Sequence, residues 1–127
     1  MTPIDPTREP LDQWRPGVMT RMLISARNGA RSLCLFEQFV DPGNGAPTHR
    51  HSVEEVLTVL AGSAEVWLDD DRAIVAAGQS VIVPAGVRHG FTNPGATTLH
   101  VQALLAAPFF EAIFDDQAET RRRWEAG

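Results

Sequence analysis

Residues 43–62 read GNGAPTHRHSVEEVLTVLAG, and within them HRHSVEE (49–55) places two of the protein's four histidines two positions apart, with Glu55 four residues beyond the second. In an extended chain side chains alternate between faces, so His49, His51 and Glu55 share one face while Arg50 and Glu54 take the other. At about 3.3 Å per residue the two histidine backbones lie about 6.6 Å apart, close enough for both imidazoles to reach one cation through metal–nitrogen bonds of about 2.1 Å. A bulge near Ser52 would reverse that parity.

A second stretch, GQSVIVPAGVRHGFTN (78–93), carries His89 beyond a short apolar run and a Pro84-Ala85-Gly86 turn. If its strand packs beside the first, His89 adds a third imidazole. Three neutral nitrogens and one carboxylate make a borderline-hard set that suits Fe(II), Mn, Co, Ni or Zn. In a six-coordinate sphere that set leaves two exchangeable positions for substrate or oxygen.

Working outward, residues 18–105 break into short β-branched and apolar runs separated by Gly, Pro, Asn and Asp: VMTRMLIS, SLCLFEQFV, EEVLTVLAG, SAEVWLDD, RAIVAAG, QSVIVPAG, HGFTN and TTLHVQALL. Each has strand length and no helical segment intervenes, which predicts an all-β antiparallel sandwich or barrel. Residues 61–63 and Asp69-Asp70-Asp71 read as hairpin turns, the aspartates solvated. After Pro108, the spacing of Phe110, Ile113, Phe114, Gln117, Arg121 and Trp124 predicts a short helical segment over 108–126, with Arg121-Arg122-Arg123 near its C-terminus. Residues 1–17 read as a proline-rich N-terminal arm, and the 127 residues as one domain.

Composition narrows the chemistry. All eleven basic residues are arginine, and with no lysine and no tyrosine, Schiff-base and tyrosine acid–base catalysis are excluded. A formal charge of −5 argues against nucleic acid and anionic lipid as partners, and no apolar run has the length of a membrane span. The single cysteine forms no internal disulfide, and the N-terminal residues lack the apolar stretch of a secretory signal, so a cytoplasmic location and a small-molecule partner are expected.

The two stretches together resemble the paired motifs of the cupin superfamily. Gly43, His49, His51, Glu55 and Gly62 match the first, and Gly78, Pro84, Gly86, His89 and Asn93 the second, with every spacing intact. The resemblance implies a jelly-roll barrel, a double-stranded β-helix, holding one divalent transition metal (Fe, Mn, Ni, Co or Zn) on His49, His51, Glu55 and His89. It implies a homodimer as well, and a metalloenzyme of dioxygenase type or a Lewis-acid isomerase, lyase or cyclase. The alternative it leaves is a ligand-binding or sensing module without catalysis. Of the glycines and proline, Gly86 can take positive φ and Pro84 stiffens the turn presenting His89, while Asn93 reads as a turn cap.

Pocket residues beyond the ligands come from the flanking strands. SLCLFEQFV is apolar on both faces apart from Glu37 and Gln38, so either Cys34, Phe36 and Gln38 or Leu35, Glu37 and Phe39 face inward. An inward Gln38 could hydrogen-bond substrate, and an inward Glu37 could act as general base. Leu57, Trp67 and Phe91 are candidates for an apolar cavity wall. Cys34 is expected to be a small core residue, and His100, with no motif partner, a structural one.

Overall fold

The computed structural model describes residues 1–117 and 120–127. Its strands are β1 (Asp12–Arg15), β2 (Val18–Ile24), β3 (Cys34–Val40), β4 (Gly45–Arg50), β5 (Glu55–Ala61), β6 (Ser63–Leu68), β7 (Asp71–Ala76), β8 (Ser80–Val83), β9 (His89–Thr92), β10 (Leu99–Leu105), β11 (Phe110–Phe114) and β12 (Thr120–Arg123). They form two six-stranded sheets, ordered β1-β2-β3-β10-β5-β8 and β12-β11-β4-β9-β6-β7. Neighbours pair antiparallel throughout, as in a jelly roll. No helix among the described residues is long and apolar enough to cross a membrane.

Strict alternation builds the core. On β10, Leu99, Val101, Ala103 and Leu105 are buried while His100, Gln102 and Leu104 are half-buried on the other face. Leu57 and Val59 lie beside them on β5, and Ala64 and Val66 join the core from β6 of the second sheet. The turns use residues that tolerate positive φ: Gly62 (φ 84°) joins β5 to β6, and Asp69 (φ 50°) opens the turn into β7. This is the solvated aspartate turn the sequence predicts.

β3 settles its own parity: Cys34, Phe36, Gln38 and Val40 point into the barrel, and Leu35, Glu37 and Phe39 point out. Cys34 is fully buried, and burial pushes its thiol up to about 12 from an ordinary 9.0. The native protein should therefore resist Ellman's reagent at pH 8, where the thiolate fraction is lower by roughly a thousandfold than in the unfolded chain, and should react once denatured. Rapid labelling of the native protein would contradict this register of β3. Because the folded thiol holds its proton more tightly than the unfolded one, its contribution to stability is present below pH 9.0 and is lost as pH rises towards about 12.

One expectation, at the C-terminal end, is overturned. Residues 110–114 and 120–123 form a β-hairpin in place of the expected helical segment; Ala118 and Glu119, within that expected segment, lie outside the described residues. FFEAIF satisfies both periods, since Phe110, Ile113 and Phe114 suit a helix while Phe110, Ala112 and Phe114 suit a strand. The open edge of β4 decides between them, because β11 pairs with it at Ile113↔Arg50 and Phe114↔His49, burying Phe110, Ala112 and Phe114. Within the N-terminal arm, residues 12–15 are a strand on the edge of β2, and Trp14 packs against Phe36, Phe110 and Trp124.

Candidate metal centre

A bulge positions the first histidine. β4 pairs with β9 at Ala46↔Phe91 and then at His49↔His89, so one extra residue is taken up around Pro47, which has no N–H to offer the ladder. The shift turns His49 inward although it sits three positions from the inward Ala46. Beyond it the chain bends at Ser52 and Val53, yet His51 and Glu55 both remain buried while Arg50 and Glu54 are exposed. The predicted partition of faces therefore holds, with the bulge at residue 47 and not near Ser52.

The second stretch is tied to the first by its turn. Val87 N–H donates to Pro84 O at 3.2 Å, Gly86 sits at φ 81°, and Gly86 N–H donates to His51 O at 2.7 Å. Glycine is needed there because the turn demands positive φ. β9 then carries His89 directly opposite His49.

Each imidazole is oriented by a backbone carbonyl. Nδ1–H of His49 donates to Pro47 O (2.7 Å), that of His51 to Glu111 O (2.6 Å), and that of His89 to Val87 O (2.9 Å). A carbonyl only accepts, so the proton is on Nδ1 and the Nε2 lone pairs face the centre. The three ligand atoms lie within 4.8 Å of one another. Nε2 of His51 and Nε2 of His89 are buried without a hydrogen-bond partner among the described residues, although Glu55 oxygens lie 3.6 and 3.0 Å away. Buried polar atoms left unpaired in this way, converging on a carboxylate, fit a cation.

The electrostatics agree with that fit. Burial, together with the neighbouring His89 and His51, drives the His49 pKa down to about 3, so the ring is neutral and able to ligate at physiological pH. Burial opposes ionisation of Glu55, but the adjacent His51 and His89 hold its carboxyl below the usual range. His51 is raised despite burial, because Glu55 favours its charged form. The site thus keeps one buried carboxylate that needs positive charge beside it.

The histidines and Glu55 line a small cavity of about 30 Å³, walled by Phe36, Leu57, Phe91, Ala103, Phe110 and Phe114, and reached by Gln38 and Arg15. Gln38 is buried and held by a hydrogen bond to Thr20 Oγ1 at 3.0 Å. Glu37 leaves the site altogether: it pairs on the outer face with His100 Nε2 (2.7 Å) and Arg21 (3.9 Å). His100 is thereby accounted for, stacked on Phe39 with ring centroids 4.3 Å apart. Trp67 is likewise outside the cavity, its Nε1–H donated to Thr48 Oγ1 at 2.9 Å. Asn93 caps as expected, bonding Val40 O and Thr97 O and accepting from Gly95 N–H.

Sequence reasoning missed Trp14, Arg15, Phe110 and Phe114 as wall residues. They arrive from the two chain ends; the only signal for Trp14, Phe110 and Phe114 was apolar bulk without an assigned place to bury, and Arg15 carried none.

Comparison with known proteins bears on the whole arrangement. A family model described as cupin domain matches residues 36–106. Protein SchB of Streptomyces halstedii is 36% identical over 87 residues, 68% of this chain and 63% of that protein. Auxin-binding protein 1 of Arabidopsis thaliana is 29% identical over 105 residues, covering 74% of this chain and 52% of that one. The chain therefore spans less than two thirds of either relative. Among solved structures, the polyketide cyclase RemF from Streptomyces resistomycificus superposes with a TM-score of 0.74 at 23% identity, covering 99% of this chain and 87% of that one, a likeness of fold.

Proposed function

The chain belongs to the cupin domain family, and from that premise we propose that it binds a divalent transition metal and acts as an enzyme on a small organic molecule. One observation carries the reading: three buried imidazoles, each fixed through Nδ1 by a backbone carbonyl, turn their Nε2 atoms to one point beside Glu55. His49, His51, His89 and Glu55 would hold the metal, which when bound supplies Lewis-acid or redox chemistry. Around it the chain's own residues do three things. The phenylalanine wall excludes water, Gln38 offers an amide anchored by Thr20 to orient a substrate, and Arg15 guards the approach.

Among the described residues the cavity wall offers no carboxylate or imidazole beyond those four, and Glu37 faces outward. Proton-transfer chemistry would have to draw on the ligand set itself, which favours the oxygen-dependent branch over isomerisation or elimination. Capture of a ligand without turnover is the second reading, supported by the likeness to a protein named for binding auxin. The two part company on whether a bound compound is recovered unchanged.

Self-association belongs to the same proposal. Leu60 and Ile82 are exposed on the outer face of the first sheet, beside the half-buried Leu35, Phe39 and Leu104, a surface suited to a second copy of the chain.

Elemental analysis of the untagged protein tests the metal. About one equivalent of a divalent transition ion per chain is expected. Failure to take up Fe, Mn, Co, Ni or Zn on anaerobic loading would overturn the proposal.

A further inference from the structure

The inner cavity, at about 30 Å³, has room for little more than an ion or a water, so the body of any substrate must lie elsewhere. Next to it opens a second cavity of about 400 Å³, within the size range of small-molecule sites. Trp14, Arg15, Phe110 and Phe114 line both, which makes the larger one the antechamber of the smaller.

Its charge comes from the two chain ends. Strand alternation on β12 divides Arg121-Arg122-Arg123: Arg121 and Arg123 face the antechamber, while Arg122 turns away to pair with Glu111 and Glu125. Arg15 joins them from β1, its guanidinium 5.3 Å from the centroid of the Phe114 ring and donating to Gly45 O at 3.4 Å. The Arg123 guanidinium lies 4.4 Å from the Trp14 ring. Among the described residues Asp116 is the one carboxylate in this wall, against three guanidiniums, and Arg121 is partly engaged by Gln117 at 2.8 Å. Burial first, and then Arg123, lower the pKa of Arg15, with Asp116 opposing. For Arg123 burial acts in the same sense, and Asp12 opposes it. Trp14 Nε1–H is buried and has no acceptor among the described residues. The wall is therefore rich in donors and aromatic faces and short of acceptors, the chemistry that recognises a planar anion.

We propose that Arg15 and Arg123 form a carboxylate-binding site at the mouth of the barrel, so that the substrate is an organic acid whose apolar body lies on Trp14, Phe110 and Phe114 and whose far end reaches the histidines. Its role in presenting a substrate rests on the metal-centre reading; the anion site itself does not.

The test uses the full-length protein freed of metal with EDTA and titrated calorimetrically with benzoate, its neutral isostere benzamide, and inorganic phosphate. Benzoate should bind about tenfold more tightly than benzamide, the difference a charge-assisted pair supplies. Arg15→Met and Arg123→Gln should each abolish that preference, whereas Arg122→Gln should leave it intact. Arg123 lies on an edge strand, so its variant keeps the test decisive should Arg15→Met lower stability. Equal affinity for benzoate and benzamide, no binding of benzoate, a preference surviving both variants, or phosphate binding more tightly than benzoate would each overturn the proposal. Metal titration of the same sample separates the two readings: metal uptake without benzoate preference removes the acid site alone, and benzoate preference without metal uptake removes the metal centre alone.

Discussion

Replacing His51 with alanine is expected to lower affinity for the divalent ion by at least tenfold while the barrel stays folded. Loss of a mere outer partner of a ligating group typically costs 10–100-fold, roughly, and His51 supplies the nitrogen itself. His51 is also the imidazole that engages both Glu55 and, through Nδ1, the Glu111 carbonyl of β11, so its removal loosens the carboxylate as well. The fold should survive, because the core of Leu99, Val101, Leu105, Val59 and Val66 is apolar and closes without the ion. Competition against a chromogenic chelator reads the affinity, and far-UV circular dichroism reads the fold. His49→Ala and His89→Ala should behave alike. His100→Ala should not, since that ring is committed to Glu37 and Phe39 on the opposite face of its sheet. A folded His51→Ala protein with undiminished affinity would remove this cluster as the metal site.

Gly45→Ala is expected to destabilise the protein by about 3 kcal/mol or more, the cost of an overpacking that the backbone cannot relieve. A β-carbon at position 45 would overlap the Phe91 carbonyl oxygen and come within 2.8 Å of Thr92 Cα, both on the paired strand β9. Neither is the end of a flexible side chain, so β4 and β9 would have to separate. That separation falls just before the bulge that turns His49 inward, so metal affinity should drop along with stability. Thermal unfolding should show a midpoint lower by about 10 °C or more. An unchanged midpoint would mean that the pairing of Gly45 with Thr92 is looser than described. Gly43→Ala makes the instructive contrast: among the described residues nothing lies within 4 Å of its added carbon, and the positive φ of 81° is what resists it. Its cost should be about 1 kcal/mol, set by backbone conformation alone.

How far the sequence could be read depended on how local each determinant was. The even spacing of His49, His51 and Glu55 carried its own geometry, and Pro84 with Gly86 announced a turn whose backbone could reach the first stretch. The neighbourhood of β3 was legible only as two alternatives, because Cys34-Leu35-Phe36 and Phe39-Val40 are apolar on both faces. Which set turned inward depended on partners on both faces: Arg21 on β2 and His100 on β10 receive Glu37 outside, and the buried Thr20 receives Gln38 within. Those partners lie between sixteen and sixty-three residues away, beyond any local pattern.

By itself the sequence determined the all-β class, the turn positions and the shared face of His49, His51 and Glu55, because each rests on alternation, positive φ or spacing over a few residues; that His89 joins them was implied by the family resemblance and depends on the pairing of β9 with β4. Only the tertiary structure decided that FFEAIF is a strand, that β3 presents Gln38 and withdraws Glu37, and that Arg15 and Arg123, from opposite ends of the chain, line one cavity. A segment with two permitted periods takes the one whose hydrogen-bond partner is available. That partner, the open edge of β4, exists only once the barrel has formed.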